Sequence, residues 1–269
     1  MSIRVCLCLP VVLSVVPFAH AQSDLLDLGY RQMYNLEFEA AHRTFADWEK
    51  THPEDPLAPA SDAAAYLFSE FDRLHILQTE FFVNDDHFRT DRKLTPDPVV
   101  KQKFETALVS SNNLAARTPQ EPNSQFADVL ADGLRSDYLG LIEKRYAAAF
   151  KEMKAARTMS ERLLAGHPEF ADAWIAVGVE NYMLSIKPAP VRWLLRIGGG
   201  ETDRALGIEK LQITAEKGHY LAPFARLLLA VAALRSHAKD KARDILAALA
   251  REYPHNPLYT QELARLGDY

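Results

Sequence analysis

The sequence predicts an all-α chain of about five stacked helix pairs with two insertions, and three observations predict it. A small–large–proline spacing recurs as Ala41, Phe45 and Pro53 and again as Ala242, Leu246 and Pro254. Around Pro168 the pattern runs forward instead, through Trp174, Gly178 and Tyr182. Apolar residues keep a helical period along nearly the whole chain, and strand-like alternation is absent.

Taken in order, the first 21 residues read as a secretory leader. Arg4 is their only charge, Val5 to Phe18 is almost wholly apolar, and Ala19-His20-Ala21 has the small-x-small form that signal peptidase reads. Cleavage is expected near Ala21, which gives a periplasmic or secreted protein with one domain over 22–269. The apolar run is short for a membrane anchor and holds Pro10 and Pro17. Cys6 and Cys8 both fall in this leader, so disulfides, thiolate metal sites and cysteine nucleophiles are excluded from the rest.

The helix pairs follow. Leu25, Leu28, Gly29, Met33 and Leu36 share one face, and Phe38, Ala41, Phe45 and Trp48 share a face of a second helix. Asn35 stands at the turn between them. Pro53 and Pro56 stop the second helix because proline has no amide hydrogen and crowds the preceding turn. Residues 60–74 and 98–117 make a second pair, separated by an insertion over 75–95. Residues 123–143 and 146–165 make a third. Residues 171–186 and 202–217 make a fourth, separated by an insertion over 187–200. Residues 221–236 and 239–252 make the fifth, and 261–266 close the array. Gly29, Gly178 and Ala230 stand where the first helix of a pair approaches the second, with Ala41 and Ala242 as the reciprocal small residues.

Composition narrows the functional classes. There are 31 basic residues, or 30 without Arg4, against 36 acidic ones. No basic block occurs, which argues against nucleic acid as the partner. Asn84-Asp85-Asp86-His87 fits neither a calcium-loop nor a zinc spacing, so no metal or cofactor is expected. Gly198-Gly199-Gly200 is followed by Glu201-Thr202 rather than by the lysine of a phosphate loop. No serine elbow, HExxH or dinucleotide fingerprint is present, and no catalytic residue is assigned.

The segments Leu28-Gly29 through Leu36-Glu37-Phe38-Glu39-Ala40-Ala41 to Pro53, and Pro168 through Trp174 to Gly178, resemble tetratricopeptide repeats. The proline marks are 115 and 86 residues apart, neither a multiple of the family's repeat of about 34, which is why two insertions are expected. Arg192-Trp193-Leu194-Leu195 with Gly198 to Arg204, Gly207 and Leu211 is similar to a signature in a divergent branch of that family, which includes inclusion-body-clearance proteins. The chain is also similar to exported bacterial repeat proteins of no assigned activity.

The resemblance implies a non-catalytic interaction scaffold whose concave groove is lined by the first helix of each pair. Carried onto this chain, the groove comprises Tyr30, Met33, Tyr34, Val179, Tyr182, Met183, Phe224 and Leu227, with Trp193 and Arg196 at its rim. These side chains suit an apolar helix or an extended segment of another protein. If the insertions fold back and fill the concavity, the same residues are core. Residues 191–197 form either a small docking or membrane-contacting helix, or a cap whose Arg192 and Arg196 pair with Glu201 or Asp203. The alternative function is an exported hydrolase or small-ligand-binding protein whose pocket is capped by 75–95 and 187–200. Glu70, Asp85 and Glu180 are the carboxylates whose convergence would favour an enzyme.

Overall fold

A computed structural model describes residues 19–77 and 94–267, with side chains from Leu25 onward. Residues 1–18, where a leader is expected, and Phe81, Phe82 and Asn84 to His87 of the expected first insertion lie outside the described residues. The described chain is all-helical. Its twelve α-helices are α1 (Ala19–Tyr34), α2 (Phe38–Thr51), α3 (Leu57–Arg73), α4 (Pro98–Ala115), α5 (Pro122–Asp137), α6 (Tyr146–Gly166), α7 (Trp174–Ser185), α8 (Ala189–Ile197), α9 (Arg204–Lys217), α10 (Ala222–Arg235), α11 (Lys239–Glu252) and α12 (Pro257–Gly267). The α5 helix runs on into one π-helical turn, Tyr138–Ile142.

Each helix packs mainly on its chain neighbours, except that α7 and α9 pack on each other across the small α8 between them. Close approach is what the small residues provide. A Cβ at Gly29 would lie 2.2 Å from the Phe45 ring, and one at Gly207 would lie 2.5 Å from the Tyr182 backbone nitrogen.

The proline grammar corresponds to one turn built three times. His52, His167 and Tyr253 end α2, α6 and α11 with nearly the same backbone, φ of −134°, −137° and −122° and ψ of 63°, 73° and 69°. In each case the amide three residues later donates back to that residue's carbonyl, from Asp55, Phe170 and Asn256. Proline follows each cap because it cannot prolong the helix and needs no amide partner there. The turns inside the pairs also repeat. Leu36, Lys144 and His237 all take left-handed φ values near 60° just before α2, α6 and α11.

The two ends of the array meet. Asn256 Nδ2 donates to the Tyr34 carbonyl at 2.9 Å, the His255 amide donates to Asn35 Oδ1 at 3.1 Å, and the His255 ring pairs with Glu37 at 2.6 Å. The Tyr34 hydroxyl donates to the Tyr220 carbonyl, and Tyr30 stacks on Tyr220 with centroids 4.8 Å apart. Phe68 meets Phe224 edge to face at 5.6 Å. The curvature thus brings α1 and α3 against the segments around α10 and α12, and the concave side becomes interior.

Candidate functional site

The interior left by this curvature is not completely filled. A cavity of about 500 Å³ lies between α3, α5, α6, α7, α8 and α10. The π-helical turn contributes Gly140 and Leu141, and α6 contributes Ala149, Phe150 and Met153. Val179, Met183 and Leu184 come from α7, and Phe224, Leu227 and Leu228 from α10. The second insertion supplies a further wall, through Lys187, Pro188, Val191 and Leu195. A smaller cavity of about 80 Å³ adjoins it, sharing Asp137, Met153, Val179 and Phe224 and reaching Tyr30, Met33 and Tyr34.

Asp137 is the one carboxyl among the described residues that line either cavity. No hydrogen bond or ion pair reaches its carboxyl among the described residues. Asp137 is half-buried, and this burial raises its pKa to about 7, since a charge there loses part of its water and gains no partner in return. The accessible surface it keeps faces the cavities. Its neighbour Ser136 is already satisfied, donating to the Ala149 carbonyl at 3.0 Å. The site can therefore hold an apolar body and present it with a single acid whose charge state is open to change.

The glycine run shapes the wall. A Cβ on Gly200 would sit 2.9 Å from the Phe150 ring and 3.0 Å from Leu184 Cδ1, so only glycine lets this strand of chain lie so near the cavity wall. Gly199 takes φ of +80°. The Gly198 carbonyl accepts from Lys154 Nζ at 2.7 Å, and Glu180 Oε1 accepts from the Glu201 amide at 3.0 Å. The run is a structural loop that ties the second insertion down.

The residues picked for an open groove are distributed differently. Tyr30, Met33, Tyr34, Tyr182 and Leu227 are buried. They are not solvent-facing contacts, because the meeting of the chain ends covers α1 and α10 and because α9 covers Tyr182 of α7 at Gly207. Val179, Met183, Phe224 and Leu227 come together on the large cavity, while Tyr30, Met33 and Tyr34 reach the small one. Tyr182 lines neither and packs against Gly207. Trp193 and Arg196 lie on the outer side of α8, exposed and away from these cavities. The arginines there are not held by Glu201 or Asp203. Arg196 donates to the Thr202 hydroxyl and Arg192 to the Lys187 and Ser185 carbonyls, because the α8 turn brings those oxygens nearer.

Of the carboxylates that would have marked an enzyme, Asp85 lies outside the described residues, and Glu70 and Glu180 stand in separate pairings. Glu70 is clamped by Arg73 and the Asp97 amide, and Glu180 by Arg157 at 2.9 Å and the Glu201 amide. Neither lines a described cavity. A second depression of about 500 Å³, beside Trp48, Phe126 and Tyr220, has its acids engaged. Asp172 there accepts from the amides of His219, Tyr220 and Leu221, and Asp55 accepts from Trp48 Nε1. No group of three His, Asp or Glu suited to a metal ion occurs among the described residues, and no helix among them is long and apolar enough to cross a membrane.

Asp137, Phe150 and Met153 are the site residues that sequence reasoning missed. A signal for the first existed: Leu130, Leu134, Asp137 and Leu141 follow a four-three-four spacing, which puts the acid on the apolar stripe. Compared with known families, with curated proteins and with solved structures, the chain matches none.

Proposed function

We propose that this chain is an exported helix-pair array of the tetratricopeptide type whose concave side holds a small apolar molecule rather than a peptide. The observation that carries the reading is the cavity of about 500 Å³ with hydrocarbon walls from six helices. Its size lies in the range of small-molecule sites, and such sites combine apolar walls with few polar groups. Four of the residues that the repeat resemblance places in a ligand groove, Val179, Met183, Phe224 and Leu227, line it. The second insertion acts as a cap, as the small-ligand alternative expects. Glu70 and Glu180 are spent on structural pairs, so binding without turnover is the simpler reading.

A neutral solvatochromic dye tests this. Nile red added to the full chain is expected to bind with a blue-shifted, enhanced emission. Met183→Trp or Val179→Phe, each of which adds bulk inside the cavity, should abolish that signal while circular dichroism stays unchanged. A dye signal untouched by both substitutions, or none with the unaltered protein, would sink the reading.

A second reading has its own observation. On α8, Val191, Trp193, Leu194 and Ile197 are all at least 45 % exposed, and no residue of that helix is buried. This face supports the scaffold reading, in which another protein docks on the outside of α8 rather than in an open groove.

A further inference from the structure

Resting on the cavity reading above, we infer that the ligand is an amphiphile with a protonated amine, which pairs with the Asp137 carboxylate while its apolar body lies along Phe150, Met153, Met183 and Leu195. The argument starts from what Asp137 lacks. A carboxylate removed from water is held in folded proteins by amides, by a cation or by both. The almost fully buried acids have such partners: Glu70 and Glu180 each have an arginine and an amide, and Asp172 has three amides. Asp137 has none among the described residues, although it sits where the two cavities meet. Its unmet hydrogen bonding therefore lies at the border of both cavities.

The chemistry of the surroundings selects the ligand's charge. An anionic head would meet a like charge at Asp137. A neutral alcohol gives one hydrogen bond and leaves the acid protonated. An ammonium offers up to three donors and a full opposite charge, and charge-assisted bonds are about twice as strong as neutral ones. Phe150 of α6 and Phe224 of α10 also line the cavity, and aromatic faces attract a cation. Lys187, the cation among the described residues of this wall, stands on the segment before α8. The cavity is therefore polarised, with acid at the depth of α5 and a base beside the cap.

The experiment displaces Nile red from the full chain with decylamine, decanol and decanoate, which share a tail and differ in the head. A charged hydrogen-bonded pair contributes roughly 10-fold to 100-fold in affinity. Decylamine should therefore compete at least about 10-fold better than decanol by this measure, with decanoate the weakest. Asp137→Asn should erase the preference for the amine and leave decanol and the dye as before, which also shows that the variant is folded. Equal competition by decylamine and decanol on the unaltered protein would overturn the inference, as would an amine preference that survives Asp137→Asn. Decanoate as the best competitor would overturn it too and transfer the head group to Lys187. In all three cases the dye still binds, so the cavity reading stands; a protein that never binds the dye defeats both.

Discussion

A single buried acid has consequences in the empty protein as well as in the filled one. The Asp137 pKa is raised from 3.8 to about 7, so the folded state holds its proton more tightly than the unfolded chain does. The stabilisation from that proton is complete below the unfolded value and is lost as pH climbs through the folded one. Between pH 5 and pH 8 the unliganded protein should lose on the order of 2–3 kcal/mol from this group. Asp137→Asn should remove that loss, so its urea midpoint should match the parent near pH 3, below the unfolded value, and exceed it by a growing margin from pH 5 to pH 8. Asp132, raised to about 6 by burial and by Glu152, titrates in the same direction in both proteins and cancels in the comparison. A parent and variant that respond identically to pH would show that Asp137 has found a partner. This acid could be placed on a stripe from the sequence, but its isolation could not. Isolation depends on what five other helices do not offer, and no local spacing records that.

At the scale of elements, the helices were legible and the site was not. Periodicity and proline placed α2 to α7 and α9 to α11 within a few residues, because those signals are local and strong. The two long proline intervals pointed to insertions, and the second insertion proved to be both a helix and a cavity wall. What remained hidden was curvature. Tyr30, Tyr34 and Tyr182 read equally well as groove or core, and only long-range closure decides between them. The α8 cap differs from its neighbours in a measurable way. It buries none of its residues, whereas α7 buries seven of twelve. Local opening free energy follows burial, so the amides of α8 should exchange with deuterium well before those of α7 and α9. Saturation with a cavity ligand should slow α8 selectively, because Val191 and Leu195 would then have something to pack on. Protection of α8 equal to that of α7 in the empty protein would contradict the looser hold that its exposure implies.

Over the whole molecule, the junction of the two ends changes how stability is distributed. In an open array each repeat depends on its neighbours, and stability is close to a sum over adjacent pairs. Here Asn256 spans the junction: its Nδ2 serves the Tyr34 carbonyl and its Oδ1 accepts from the Leu258 amide. Asn256→Ala leaves a buried carbonyl unpaired and should cost about 1–3 kcal/mol in urea unfolding. The loss should appear across the whole transition, since α1 and α12 would be released together. A separate early phase confined to α12 would instead mean that the junction is only an attachment of the last helix.

That junction also sets a schedule. Tyr34 and Asn35 leave the ribosome some 220 residues ahead of the partners that complete them, His255 and Asn256. At ordinary synthesis rates of about 5–20 residues per second, the interval is roughly 10–40 s. For most of it, Tyr30 and Tyr34 lack their Tyr220 contacts, and for all of it Tyr34 lacks Asn256. The first described helix is thus among the last to be finished, and a nascent chain of this design spends most of the synthesis of its helices with Tyr30 and Tyr34 uncovered.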